Sequence, residues 1–105
     1  MLRIYSVVLE VLEQLQPALK RIEVRDCDLA RQLRRCGASI ALNLAEGMYS
    51  HGRNRRARYY TALGSARETL SCLEVAVAFR YVARDDVLVD SLNRVIATLV
   101  KLISQ

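Results

Sequence analysis

Apolar residues recur along most of this chain at intervals of three and four, the spacing that lines one face of an α-helix. Ile4, Val8, Val11, Leu12, Leu15, Leu19 and Ile22 form the first such line, which predicts a helix from Leu2 to Ile22. Pro17 falls inside it and lacks the N–H that would bond back to Glu13. The pattern therefore predicts a continuous but bent helix, with a break near Gln16 as the alternative.

Glu23 to Asp28 is short and charged, and Asp26 and Asp28 are candidate N-caps for a second helix. With Leu33 at the centre of its buried face, Leu29, Cys36, Gly37, Ile40, Leu44 and Gly47 fall on the same side. Arg31, Arg35, Ala38 and Leu42 fall opposite, and Leu42 there hints at a second contact. Ser39, Asn43 and Glu46 make a polar flank. Gly47 reads as a C-terminal stop, and Tyr49 to Asn54 as a turn rich in breakers.

The third helix is expected from Arg55 to about Val82, the longest of the chain. Tyr59, Leu63, Ala66, Leu70, Leu73, Val77 and Tyr81 alternate in steps of four and three, a seam suited to left-handed bundle packing. Cys72, Val75 and Phe79 form a second apolar line roughly opposite. A helix apolar on two sides is central in a large core or shared between subunits. With few helices available, the subunit contact is favoured, which makes Leu42, Cys72, Val75 and Phe79 the expected oligomer interface. Gly64, inside this helix, points to a close backbone approach.

Ala83 to Asp86 is a tight connection with Asp85 and Asp86 placed to cap a fourth helix, which buries Leu88, Leu92, Val95, Ile96, Leu99 and Ile103. Four amphipathic helices on short loops define an all-α, antiparallel up-down-up-down four-helix bundle. The 105 residues suffice for one such domain, residues 1–105.

Charge changes this picture at one place. Seven arginines, Arg31, Arg34, Arg35, Arg53, Arg55, Arg56 and Arg58, lie between Arg31 and Arg58 against one acid, Glu46, while the other charges nearly cancel. A concentrated positive footprint suits phosphate or another acidic surface, and arginine can grip phosphate bidentately. The competing explanations are a solvated helix end and an arginine-rich base composition. Arg53, Arg55, Arg56 and Arg58 open a helix whose dipole is already positive there, so a bound polyanion would relieve them. Of Tyr59 and Tyr60, one is expected to be buried and the other free to stack on a base or cover a neighbouring subunit.

Nothing in the sequence assembles a catalytic motif: there is no phosphate loop, no histidine pair and no nucleophile with an evident base. His51 stands alone among cations. Cys27, Cys36 and Cys72 lack metal-type spacing and are read as reduced structural thiols. Asn43, Glu46 and Glu68 are read as a structural polar corner, the carboxylates anchoring arginine or capping backbone. No enzyme activity, cofactor or metal is expected. No apolar run is long enough to span a bilayer, and Arg3 with Glu10 leaves no signal-peptide core, so a cytoplasmic location is expected.

Ser39 to Gly47, SIALNLAEG, and Arg58 to Glu68, RYYTALGSARE, together resemble the 23S rRNA intervening-sequence protein family, also called four-helix bundle proteins. Ser39, Ile40, Asn43, Ala45, Glu46, Gly47, Tyr59, Gly64, Ser65 and Glu68 carry the likeness. The resemblance implies a small bacterial cytosolic bundle, often a ring-shaped homopentamer. It also implies a relation to bundles that serve as accessory proteins of reverse transcriptases in diversity-generating retroelements. Pro17 and Leu42 depart from the family's pattern. The combined expectation is a non-enzymatic, self-associating bundle that binds nucleic acid, RNA before DNA, through its seven clustered arginines. The alternative is a protein-interaction scaffold or reverse-transcriptase accessory subunit whose basic face docks an acidic protein.

Overall fold

In the computed structural model, which describes residues 2–105, four helices carry the chain: α1 (Arg3–Arg25), α2 (Cys27–Met48), α3 (Gly52–Ala78) and α4 (Asp86–Ser104). Helix α1 packs against α2 and α4, and α3 packs against the same two, which closes an antiparallel square of helices about 42 Å long. Paired residues give the direction: Ser39 of α2 meets Ser65 of α3 near mid-length, while Asp26 at the start of α2 meets Tyr81 just past the end of α3. The core is aliphatic, and Val8, Ile22, Leu33, Ile40, Leu44, Leu92, Val95 and Leu99 are sealed from solvent. Ile96 is only half-buried beside them.

Aspartates start two of the helices as their positions predict. The Leu29 N–H donates to Asp26 Oδ1 at 3.0 Å, and the Leu88 N–H donates to Asp85 Oδ1 at 3.1 Å, each satisfying an amide the helix cannot. Asp28 lies in the first turn of α2, where it pairs with Arg31 at 3.4 Å. Helix α1 runs unbroken through Pro17. Pro17 and Glu13, whose carbonyl the proline leaves without a donor, are both exposed, so water can serve that carbonyl.

The ends of α3 differ from the sequence expectation. It begins earlier, at Gly52, whose φ of 56° lets the chain turn into the helix. It ends at Ala78, short of Val82, in a Schellman closure in which the Tyr81 N–H donates to Ala76 O and the Arg80 N–H to Val77 O. The left-handed residue of that closure is Arg80, with φ 62°.

Two glycines also play other parts than the sequence suggested. Gly47 is the second-last residue of α2 and does not take the positive φ of a helix-ending glycine; it is buried against the Tyr59 ring. Among the described residues nothing lies within 4 Å of where a Gly64 side chain would begin, so none of them makes the close approach expected there. Cys72 is a third correction. Expected at a subunit contact, it is 4% exposed inside the chain's own core, because α3 packs against both α2 and α4 and is buried over a wide arc.

Candidate nucleic-acid interface

The seven arginines fall into two groups along α2 and α3, and their partners separate them further. On α2, Arg31 pairs with Asp28 at 3.4 Å and Arg34 reaches Glu23 of α1 at 3.9 Å, both at the surface. Exposed pairs of this kind contribute little to stability. Arg35 is exposed and has no ion-pair or hydrogen-bond partner among the described residues.

At the turn, two arginines face α2 and two face outward. Arg55 Nε donates to Gly47 O at 3.1 Å in the last turn of α2, a carbonyl that also accepts from the Ser50 N–H, and to Ser50 O at 2.9 Å just beyond the helix. Arg58 Nη1 donates to Asn43 Oδ1 at 3.3 Å, and Asn43 in turn donates to Ser39 O and Oγ. Arg53 and Arg56 are exposed and unpaired among the described residues. Tyr60 follows them at helical spacing on the same face.

Tyr59 is the buried member of the aromatic pair, and Tyr60 is 56% exposed. Tyr49, on the turn itself, is 83% exposed, and His51 beside it is also exposed. Arg67 extends the Arg53–Arg56–Tyr60 stripe by two further turns and is likewise exposed and unpaired among the described residues. Its seven-residue spacing from Tyr60 marks it in the sequence as part of that face, although it lies outside the arginine-dense stretch from Arg31 to Arg58.

The polar corner is not one cluster. Asn43 joins Arg58, whereas Glu68 lies nearer the middle of the bundle, accepting from Gln32 Nε2 at 3.4 Å. The Glu46 side chain is exposed and makes no hydrogen bond among the described residues; its carbonyl accepts from Ser50 Oγ at 2.8 Å. Neither carboxylate anchors an arginine among the described residues. Of the expected interface residues other than Cys72, Leu42 is 66%, Val75 42% and Phe79 61% exposed. Leu42 lies near the turn end of the bundle and Phe79 near the other, roughly 25 Å away along α3, so they do not form one patch.

Two concavities lie outside the arginine turn. The larger, about 710 Å³, is at the opposite end, between Pro17, Leu73, Val82 and Leu88, with Glu74, Asp85 and Asp86 at its rim. The smaller, about 490 Å³, lies over the α2–α3 contact and is lined by Arg31, Gln32, Arg35, Cys36, Ser39 and Glu68, among others. Beneath it burial pushes the Cys36 thiol above its usual value and the Cys72 thiol up to about 12.

An arginine-rich surface on a closed antiparallel square of helices defines a small basic four-helix bundle protein. The chain belongs to the family described as 23S rRNA-intervening sequence protein, whose model matches residues 2–105. Its fold is similar to that of a protein of unknown function from the S23 ribosomal protein family of Bacteroides thetaiotaomicron VPI-5482. The two share 20% identity and a TM-score of 0.85, over 97% of this chain and 99% of that one. No curated protein matches the chain.

Proposed function

We propose that this chain is a non-enzymatic, self-associating bundle that binds nucleic acid, RNA in the first instance, through the turn between α2 and α3. The observation that carries the reading is the exposed stripe of Arg53, Arg56 and Tyr60 at the start of α3, with Tyr49 exposed nearby. Cations at a helix N-terminus oppose the helix dipole by a few tenths of a kcal/mol each, and a polyphosphate reverses that sign. Exposed tyrosines beside arginines supply stacking surfaces for unpaired bases. Arg35, with Arg31 and Arg34, would form a second, weaker set of phosphate contacts on α2. The family's description ties it to 23S rRNA, which favours RNA.

Self-association is proposed through the outward side of α3, where Val75 and Phe79 are exposed, with Leu42 of α2 at a separate contact. Such a two-contact arrangement suits a ring, in which different patches of successive subunits meet. No described helix is long and apolar enough to cross a membrane, in keeping with a cytoplasmic protein.

The test is charge reversal of Arg53 and Arg56 together, leaving Arg55 to hold the end of α2. Binding of the intact protein to a structured RNA should weaken steeply with salt. The double variant should lose affinity at least tenfold at moderate salt, with the slope of log affinity against log salt reduced by about 2. Unchanged affinity in a folded variant overturns the reading. Capture of an acidic protein that survives nuclease treatment, with no RNA affinity, would replace it by a docking role.

A further inference from the structure

Cys36 of α2 and Cys72 of α3 are remote in sequence and meet across the contact between the two helices. Glu68 stands one turn before Cys72 on α3, the i, i+4 spacing that lets two side chains of one helix reach a common point. The two sulfurs and a carboxylate oxygen of Glu68 all lie within 4.8 Å of one another. Cys36 and Cys72 are buried, and Glu68 is exposed. The smaller concavity opens from solvent onto Cys36 and Glu68.

We propose that Cys36, Cys72 and Glu68 form a binding site for a thiophilic divalent cation of the zinc group, held by two thiolates and one carboxylate, with the fourth position open to the concavity. Tetrahedral zinc has sulfur ligands at about 2.3 Å and carboxylate ligands at about 2.0–2.2 Å, which sets donors about 3.5–3.8 Å apart. The three groups therefore need to converge by no more than about 1.3 Å. Two come from the same face of one rigid helix and the third from its packed neighbour. Thiolate donors exclude magnesium and calcium, which take oxygen ligands.

Burial opposes free thiolates at both cysteines, so the cation must displace their protons, and one neighbouring group supports the sulfur once that has happened. Thr69 Oγ1 lies 2.7 Å from Ser65 O and 3.3 Å from Cys36 Sγ. Its single proton serves the carbonyl while Cys36 is a thiol donating to Leu33 O at 3.4 Å, and turns to the sulfur once that sulfur is a thiolate. Binding is not redox chemistry: each cysteine gives its S–H proton to solvent, so two protons leave per ion. The divalent cation with three anionic donors carries a net charge of −1, which Arg35 offsets, while Arg31 and Asp28, lining the same opening, pair with each other at 3.4 Å. Arg35 also repels a free cation, so the thiolates must supply the affinity.

The probe is Cd²⁺ added to reduced, full-length protein carrying Cys27→Ser, which removes the exposed third thiol. One equivalent should produce the ultraviolet thiolate-to-cadmium charge-transfer band, release two protons and raise the thermal midpoint. Zn²⁺ should compete for the same site. Cys36→Ser and Cys72→Ser should each remove the band. Glu68→Gln, at an exposed position that leaves the core intact, should keep the band and weaken binding about tenfold or more. A folded Cys27→Ser protein with no band at saturating Cd²⁺ overturns the site. So does a band that survives either buried-cysteine substitution, or an affinity unchanged by Glu68→Gln.

Discussion

The Cδ1–Cε1 edge of the Tyr59 ring lies so close to the backbone of Gly47 that a side-chain carbon on Gly47 would overlap Cε1 and stand 2.6 Å from Cδ1. Both residues are buried where α2 and α3 meet beside the arginine turn. Gly47→Ala must therefore displace a buried aromatic ring. A destabilisation of about 1–3 kcal/mol is expected despite alanine's better helix propensity, read as a lower urea midpoint.

Arg80 makes the opposite case. It holds the left-handed position of the closure after α3, with φ 62°, which costs a side-chain-bearing residue about 1 kcal/mol relative to glycine. Arg80 is exposed and forms no ion pair among the described residues, so little is lost with its side chain. Arg80→Gly should raise the urea midpoint with an unchanged slope, and a lowered midpoint would refute the account.

Gly64 tests the outward face of α3. Open space surrounds it, so Gly64→Ala should stabilise the single chain by about 1 kcal/mol through helix propensity alone. Thermal unfolding at low protein concentration measures this. A loss of stability instead, together with a smaller mass by light scattering, would mean that a second copy packs on Gly64.

Cys72 predicts a pH dependence. Its thiol keeps its proton up to about 12 in the fold, against 9.0 for an ordinary thiol, because burial disfavours the thiolate. Above pH 9 the unfolded chain binds fewer protons at this group than the folded one, so stability falls as pH rises toward 12; below 9 both forms are protonated and the contribution is complete. Cys72→Ala should unfold with a shallower alkaline loss than the parent. Equal slopes would place that thiol in water.

The helices were legible because each presents a sustained apolar face, and Asp26 and Asp85 carry cap chemistry in their positions. What the pattern could not show is which neighbour an apolar line meets. Cys72 reads as the back of α3 when one face is taken as the core, yet a helix touching two neighbours buries both lines. Gly47 reads as a stop because glycine's two properties, tolerance of positive φ and absence of a side chain, look alike in sequence. The arginines were visible as charge, but Arg55 and Arg53 differ only in what lies opposite them in space. The Cys36–Glu68–Cys72 convergence depends on the register between α2 and α3, which no local spacing encodes.

Arg55 spends its guanidinium on the carbonyls of Gly47 and Ser50, and so one of the cationic residues of the turn is also its clasp. A loop fastened in this way would meet any ligand already shaped, with little conformational freedom left to surrender on contact. Drift at Arg55 would therefore cost the protein the posture of its neighbours before it cost a charge.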